Sequence, residues 1–149
     1  MRRQFTVGVI ALNPCLIISP NQKDFTHECK NGIGLTGEFL VSEGNNSISR
    51  EQVPFAANLT MEPGTVVARA SDNGIYSPLD PAAADGTETA AGILYAGKVT
   101  DASGGDGVII ARLAEVVNSL LIWPAGITDE QKATAVDQLA GLDIILRSE

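Results

Sequence analysis

Short apolar runs alternate with turn-forming residues through the middle of the chain. Apolar or β-branched stretches at 38–41, 52–55, 65–68 and 75–76 each predict a short strand. Between them lie SEGNN, the Pro63-Gly64 pair and Asp72-Asn73-Gly74, which predict tight turns. Residues 78–89, PLDPAAADGTET, read as a surface loop. A strand is expected over 90–99 around Gly92-Ile-Leu-Tyr95, a Gly/Asp turn over 101–107 and a β-branched strand over 108–112. This succession predicts a small, mainly β domain.

The pattern changes after residue 112. Leu113, Val116, Val117, Leu120 and Leu121 are spaced as on a helix face, yet Asn118-Ser119 also suits a turn between two strands. The flanking strands favour the extended alternative. The clearest helix covers 129–140. Thr128 caps it, Gln131 completes a capping box, and Asp129 and Glu130 occupy its first turn, where the helix dipole favours acids. Ala133, Val136, Leu139 and Ala140 form a narrow apolar face, and Gly141 suits the left-handed C′ position. A closing strand is expected over 142–146. At the other end, MRRQFTVGVIALNPCLIISP imitates a signal peptide, but Asn13 and Pro14 interrupt its apolar run and no A-x-A-like site follows. A strand–turn–strand centred on Asn13-Pro14 is the simpler expectation.

Composition narrows the function classes. The chain has 149 residues, 44% of them hydrophobic, enough for one domain with a true core. Only seven residues are aromatic, which disfavours a base-stacking platform or sugar groove. The net charge of −8 is uneven: residues 1–50 hold five basic and four acidic side chains, residues 51–149 five basic and fourteen acidic. Such a surface repels phosphate backbones, so no direct nucleic-acid partner is expected. No run approaches the ~18 apolar residues of a membrane span.

Candidate chemistry is sparse. Cys15, Cys29 and the lone His27 do not follow the spacing of zinc ligands, and no third group completes a cysteine–histidine catalytic set. Gly32, Gly34 and Gly37 match G-x-G-x-x-G literally. That motif needs a buried strand before it and a helix after it, whereas polar HECKN precedes it and a short strand follows. A glycine hinge is the better account. Asp80, Asp85, Asp101 and Asp106 sit beside Pro, Ala or Gly and read as turn formers. No enzyme, cofactor, metal or small-molecule substrate is expected.

The segments DGTETAAGILYAGKVTDA (85–102), VIIARLAEV (108–116) and LLIWPAGITDEQKATAVDQLAGLDIILR (120–147) carry a longer pattern. It resembles the bacteriophage lambda head decoration protein family. The Ala-Gly-Ile-Leu strand, Trp123-Pro124, the polar helix start and the closing strand come in the family's order. Upstream, GEFLVSEGNNSISREQV (37–53) and EPGTVVAR (62–69) are similar to the leading segment of longer members, so the likeness spans about residues 37–147.

The resemblance implies a mainly β fold with one C-terminal α-helix, the β-clip-like fold of head decoration proteins, preceded by an N-terminal extended arm. The domain would cover 38–149, and residues 1–37 would form an arm or a β-hairpin extension. It implies a virion structural protein, made in the bacterial host cytoplasm, whose homotrimers bind the major capsid protein on the outer surface of the expanded shell. They would sit at three-fold and quasi-three-fold positions and stabilise the shell against packaged DNA. The arm would lie around residues 31–41, and its capsid contacts would fall on Gly37, Glu38, Phe39, Leu40 and Val41 through β-augmentation. Deleting residues 1–41 would then leave a folded trimer unable to bind the shell. Met1–Lys30 is longer and more apolar than such an arm, which fits a further strand pair, a longer clasp or an overlong gene model. Trp123, with Pro124 beside it, suits either a core anchor or a trimer interface. An adhesin or fibre cap and a small β-rich enzyme are the competing classes. The first would bind cells or glycans, and the second would need acids grouped around a pocket.

Overall fold

The computed structural model describes residues 34–45 and 47–148. The cysteines, His27, Gly32 and the strand–turn–strand around Asn13-Pro14 lie outside them. Among the described residues the protein is mainly β with a single C-terminal α-helix. Ten strands occur in order: β1 (Leu40–Glu43), β2 (Arg50–Phe55), β3 (Thr60–Met61), β4 (Val66–Arg69), β5 (Tyr76–Pro78), β6 (Ala90–Leu94), β7 (Lys98–Val99), β8 (Gly105–Ile110), β9 (Ala114–Val117) and β10 (Ile144–Arg147). Helix α1 (Asp129–Ala140) precedes β10.

Strands β2-β5-β4-β6-β8 close into a barrel. Its seam is narrow, since β2 and β5 pair only at Phe55 and Tyr76. The strands β4, β6 and β8 are apolar at consecutive positions because both of their faces are covered. Val67, Leu94 and Ile109 point into one cluster with Val53, Phe55 and Met61. Their neighbours Val66, Ala68, Ile93 and Ile110 join a second cluster with Phe39, Val116, Leu139 and Ile144. The first cluster draws on β2, β4, β6 and β8, with Tyr76 of β5 packed against it, and so fills the barrel lumen. The second lies outside the barrel, under α1 and a three-stranded sheet ordered β1-β9-β10. Gly92 serves this wall, because a Cβ there would lie 2.7 Å from the carbonyl oxygen of Ile110.

Helix α1 keeps its expected bounds and cap, but of the expected apolar face Ala133 and Ala140 are exposed, Val136 is half-buried and Leu139 alone is buried. Thr128 Oγ1 accepts from the Gln131 amide at 3.2 Å, and Gln131 Oε1 accepts from the Thr128 amide at 3.0 Å. Ala135 and Leu139 are its buried residues, and burying Leu139 contributes roughly 1.5–3 kcal/mol. Gln138 Oε1 accepts the Ala90 amide at 2.8 Å and ties the helix to β6. Gly141 departs from expectation: it is right-handed, with φ −64°, and the left-handed residue is Asp143, with φ 59°. The chain makes a further turn before reversing, so β10 begins at Ile144 and not at Leu142.

Several other boundaries also move. The first strand is Leu40–Glu43, not 38–41, because Gly37 and Phe39 belong to the preceding turn. The expected strand over 90–99 ends at Leu94, and Lys98–Val99 pairs with the unforeseen β3. The 101–107 turn is tighter than expected: an Asp101–Gly104 bridge closes it and β8 starts at Gly105. Asp106 is therefore a strand residue, its carboxylate accepting from Gln52 Nε2, and not a turn former. Asp80, Asp85 and Asp101 do cap turns, accepting backbone amides of Ala82, Thr87 and Ser103. Residues 113–123 take the extended alternative, as β9 followed by one 3-10 turn at Asn118–Leu120.

Candidate functional site

Gly37, Glu38, Phe39, Leu40 and Val41 lead the chain into the domain. The Glu38 carboxylate accepts the Leu35 amide at 3.1 Å, closing a small turn. Gly37 has φ 72° and donates its amide to the Tyr95 carbonyl at 3.1 Å. A Cβ at Gly37 would lie 2.9 Å from Tyr95 Cε2, so glycine allows both the turn and the close approach. Phe39 is 1% exposed and belongs to the outer cluster, while the side chain of Val41 is exposed. A cut after Val41 therefore removes a core side chain and half of β1, which corrects the expectation of a detachable arm through residue 41. In the described part of the glycine motif the chain passes from Gly37 through a turn into a strand, so no helix follows it there.

Arg50 adds a feature that the sequence did not announce. Its guanidinium lies 3.9 Å over the Tyr95 ring and forms a two-armed pair with Glu43, at 2.8 and 2.5 Å. Hydrogen bonding to Arg50 holds the Glu43 carboxyl below its ordinary pKa, and the same bond raises that of Arg50. Tyr95 thus has the leading segment at its edge and a neutralised arginine on its face. Tyr95 lies 45 positions from Arg50, 52 from Glu43 and 58 from Gly37, so no local spacing could signal that they meet.

Ser49 makes a second joint. It is fully buried, its hydroxyl donating to the Leu113 carbonyl and accepting the Gly44 amide, both at 2.8 Å. Leu113 has φ 49°, a left-handed conformation costing roughly 1–2 kcal/mol for a side chain of this kind. Its carbonyl also accepts the Gly44 amide, and its own amide donates to Leu142. This joint links the β1–β2 connection, the start of β9 and the end of the helical turn.

Trp123 is half-buried against the outer cluster and also borders a groove of about 300 Å³ with Met61, Pro78, Ile122 and Pro124. Backbone bonds between Ile122 and both Gly64 and Val66 fix this segment to the start of β4. Lys132 Nζ lies 5.1 Å over the Trp123 ring. The structure brings the two expected segments to one cluster, since Phe39 belongs to it and both Leu40 and Trp123 pack against it. No group of three or more His, Cys, Asp or Glu among the described residues is arranged to hold a metal, and no described helix is long and apolar enough to cross a membrane.

The model of one family, described as bacteriophage lambda head decoration protein D, matches residues 30–144. The chain belongs to that family. The match covers most of the chain, including β1 through α1, and begins just before the leading segment. It makes the protein a structural component of a bacteriophage head, one that decorates the capsid. No curated protein matches the chain.

Proposed function

We propose that this protein forms homotrimers that bind the major capsid protein on the outer face of the expanded shell. They occupy three-fold and quasi-three-fold positions and stabilise the shell against the pressure of packaged DNA. The observation that carries this reading is the family match over residues 30–144. The architecture supports it, because a closed barrel under a capped helix is a rigid body with little backbone edge to remodel. The acidic domain also disfavours direct contact with DNA. In this reading Gly37, Glu38, Leu40 and Val41, with the residues before them, face the capsid, and Phe39 anchors them to the core. Trp123 and Pro124 anchor the segment between β9 and α1.

The test is co-sedimentation of the full-length protein with the shells of its own phage, before and after expansion. Binding to expanded shells, with little to unexpanded ones, is expected. A protein that pellets with neither does not decorate this capsid.

A further inference from the structure

The turn joining β4 to β5 holds a reactive pair. Among the described residues, Asn73 is the one asparagine followed by glycine. Asn73 is exposed and Gly74 half-buried. Gly74 has φ 70° and no Cβ, so no side chain of its own screens its nitrogen. The Asn73 side chain folds back as an Asx turn, its Oδ1 accepting the Ile75 amide at 2.9 Å. This turn carries the carboxamide across the peptide that joins Asn73 to Gly74. The Ile75 N–H also points at the oxygen on which negative charge builds when that peptide nitrogen attacks the carboxamide carbon.

A cation stands beside the same peptide. A Cβ built on Gly74 would lie 3.0 Å from Arg69 Nη2 and 3.3 Å from Arg69 Nε. The ion pairs among the described residues use Arg50, Arg112 and Arg147, so no described carboxylate neutralises Arg69. Its charge favours loss of the Gly74 amide proton, the first event of such an attack. One bond acts as a brake: the Gly74 amide donates to the Ala70 carbonyl at 3.0 Å. An exposed turn opens such a bond at small cost, so the brake slows the reaction without forbidding it.

The comparable Asp-Gly pairs are placed differently. Asp85, before Gly86, accepts the Thr87 hydroxyl at 2.5 Å and the Thr87 amide at 3.0 Å. These bonds hold its carboxyl below the ordinary pKa and keep it an anion, which resists attack by a nucleophile. Asp106, before Gly107, lies in β8, where both residues are paired with β2 and the backbone is extended. Only Asn73-Gly74 combines a neutral carboxamide, a folded-back side chain and an adjacent cation.

We propose that Asn73-Gly74 is a self-modification site, which converts in the folded protein to aspartyl and isoaspartyl linkages with Arg69 promoting the step. The Gly74 nitrogen bonds to Asn73 Cγ while its proton passes to solvent base. The Cγ–Nδ2 bond breaks and ammonia leaves, giving a succinimide. Water then opens the ring. Cleavage at Cγ leaves an aspartate at position 73, and cleavage at the main-chain carbonyl carbon leaves an isoaspartyl link, which adds a methylene to the backbone. Both products set a new carboxylate beside Arg69. The second also disturbs the closure of the turn, where the Ala70 amide donates to the Ile75 carbonyl at 2.9 Å.

The test is incubation of the full-length protein in mildly alkaline buffer, folded and in urea. Tryptic peptides are mapped by mass spectrometry, and isoaspartate is scored with protein isoaspartyl methyltransferase. Asn31-Gly32, outside the described residues, falls in a different tryptic peptide and is scored apart. The folded protein should lose the Asn73 amide before those of Asn58 and Asn118, which precede Leu59 and Ser119. Arg69→Gln should slow this loss roughly two- to fivefold in the folded protein, as expected for an exposed charge, and leave the rate in urea unchanged. An Asn73 amide lost only in urea overturns the inference, because the turn then protects the pair. Earlier loss at Asn58 or Asn118, or a folded-state rate that Arg69→Gln leaves unaltered, overturns it as well.

Discussion

The barrel wall and the peripheral sheet are built from strands of similar length, yet they are buried differently. In β4, β6 and the Ile109–Ile110 end of β8 successive side chains alternate between two apolar clusters, so most residues there are covered. In β1-β9-β10 one face joins the outer cluster, and the other carries Ser42, Glu115, Ile145 and Arg147. The wall is where the protein is stabilised. The sheet is where the protein can change its surface without changing its fold, because its outer face contributes polar pairs and open apolar groups. A protein that must sit on another surface gains from keeping these tasks on separate strands.

Three substitutions should grade this contrast. Ile109→Ala empties part of the barrel lumen, where the side chain is fully buried. It should cost roughly 2–5 kcal/mol, read as a lower urea midpoint at unchanged slope. A loss below about 1 kcal/mol would mean that the lumen collapses easily and that the wall is not the main source of stability. Ser49→Ala strips the joint between the two regions, leaving the Leu113 carbonyl and the Gly44 amide with only each other. About 1–3 kcal/mol is expected. Hydrogen exchange should show the loss concentrated at Gly44 and Leu113, and a uniform rise across the barrel would contradict a local joint.

The smallest effect belongs to the Glu43–Arg50 pair. Arg50 lowers the folded-state pKa of Glu43. The pair therefore adds stability above the ordinary glutamate value of about 4.3, and this is lost as pH falls through the lowered folded value. Partly exposed pairs of this kind contribute roughly 0.2–1 kcal/mol. Glu43→Gln should lower stability by that amount at about pH 7 and flatten its decline below about pH 4. An unchanged acid limb would assign the pH dependence to other carboxylates, such as Glu115 beside Arg147.

Legibility followed the range of the interactions. The α1 boundaries were plain, because a capping box and a first-turn acid pair act within four residues. The strands of the wall were visible as β-branched runs, but their ends were not. Nothing in GILYAGKV says that the chain leaves the barrel after Leu94 and that Lys98–Val99 pairs with Thr60–Met61. The helical spacing of 113–121 had a different cause: Val116 faces the outer cluster from a strand and Leu121 from the extended residue just after a 3-10 turn. For the candidate surfaces, Gly37–Val41 and Trp123-Pro124 stood out by resemblance. The Arg50–Tyr95–Glu43 cluster and the Ser49 joint did not, since each joins residues from distant parts of the chain.

The sequence by itself determined what short-range physics can decide: a mainly β chain, one capped helix near its end, an acidic surface and the family pattern. The tertiary structure alone decided which apolar residues became core and which remained outside. Phe39 and Leu113 show the distinction. Both are large apolar residues beside a turn, and nothing in their neighbours separates them. Phe39 is buried because β9 and the outer cluster close over it. Leu113 is exposed because Ser49, 64 residues away, holds its backbone left-handed. Burial is set by what arrives from elsewhere in the chain, and a linear pattern cannot state it.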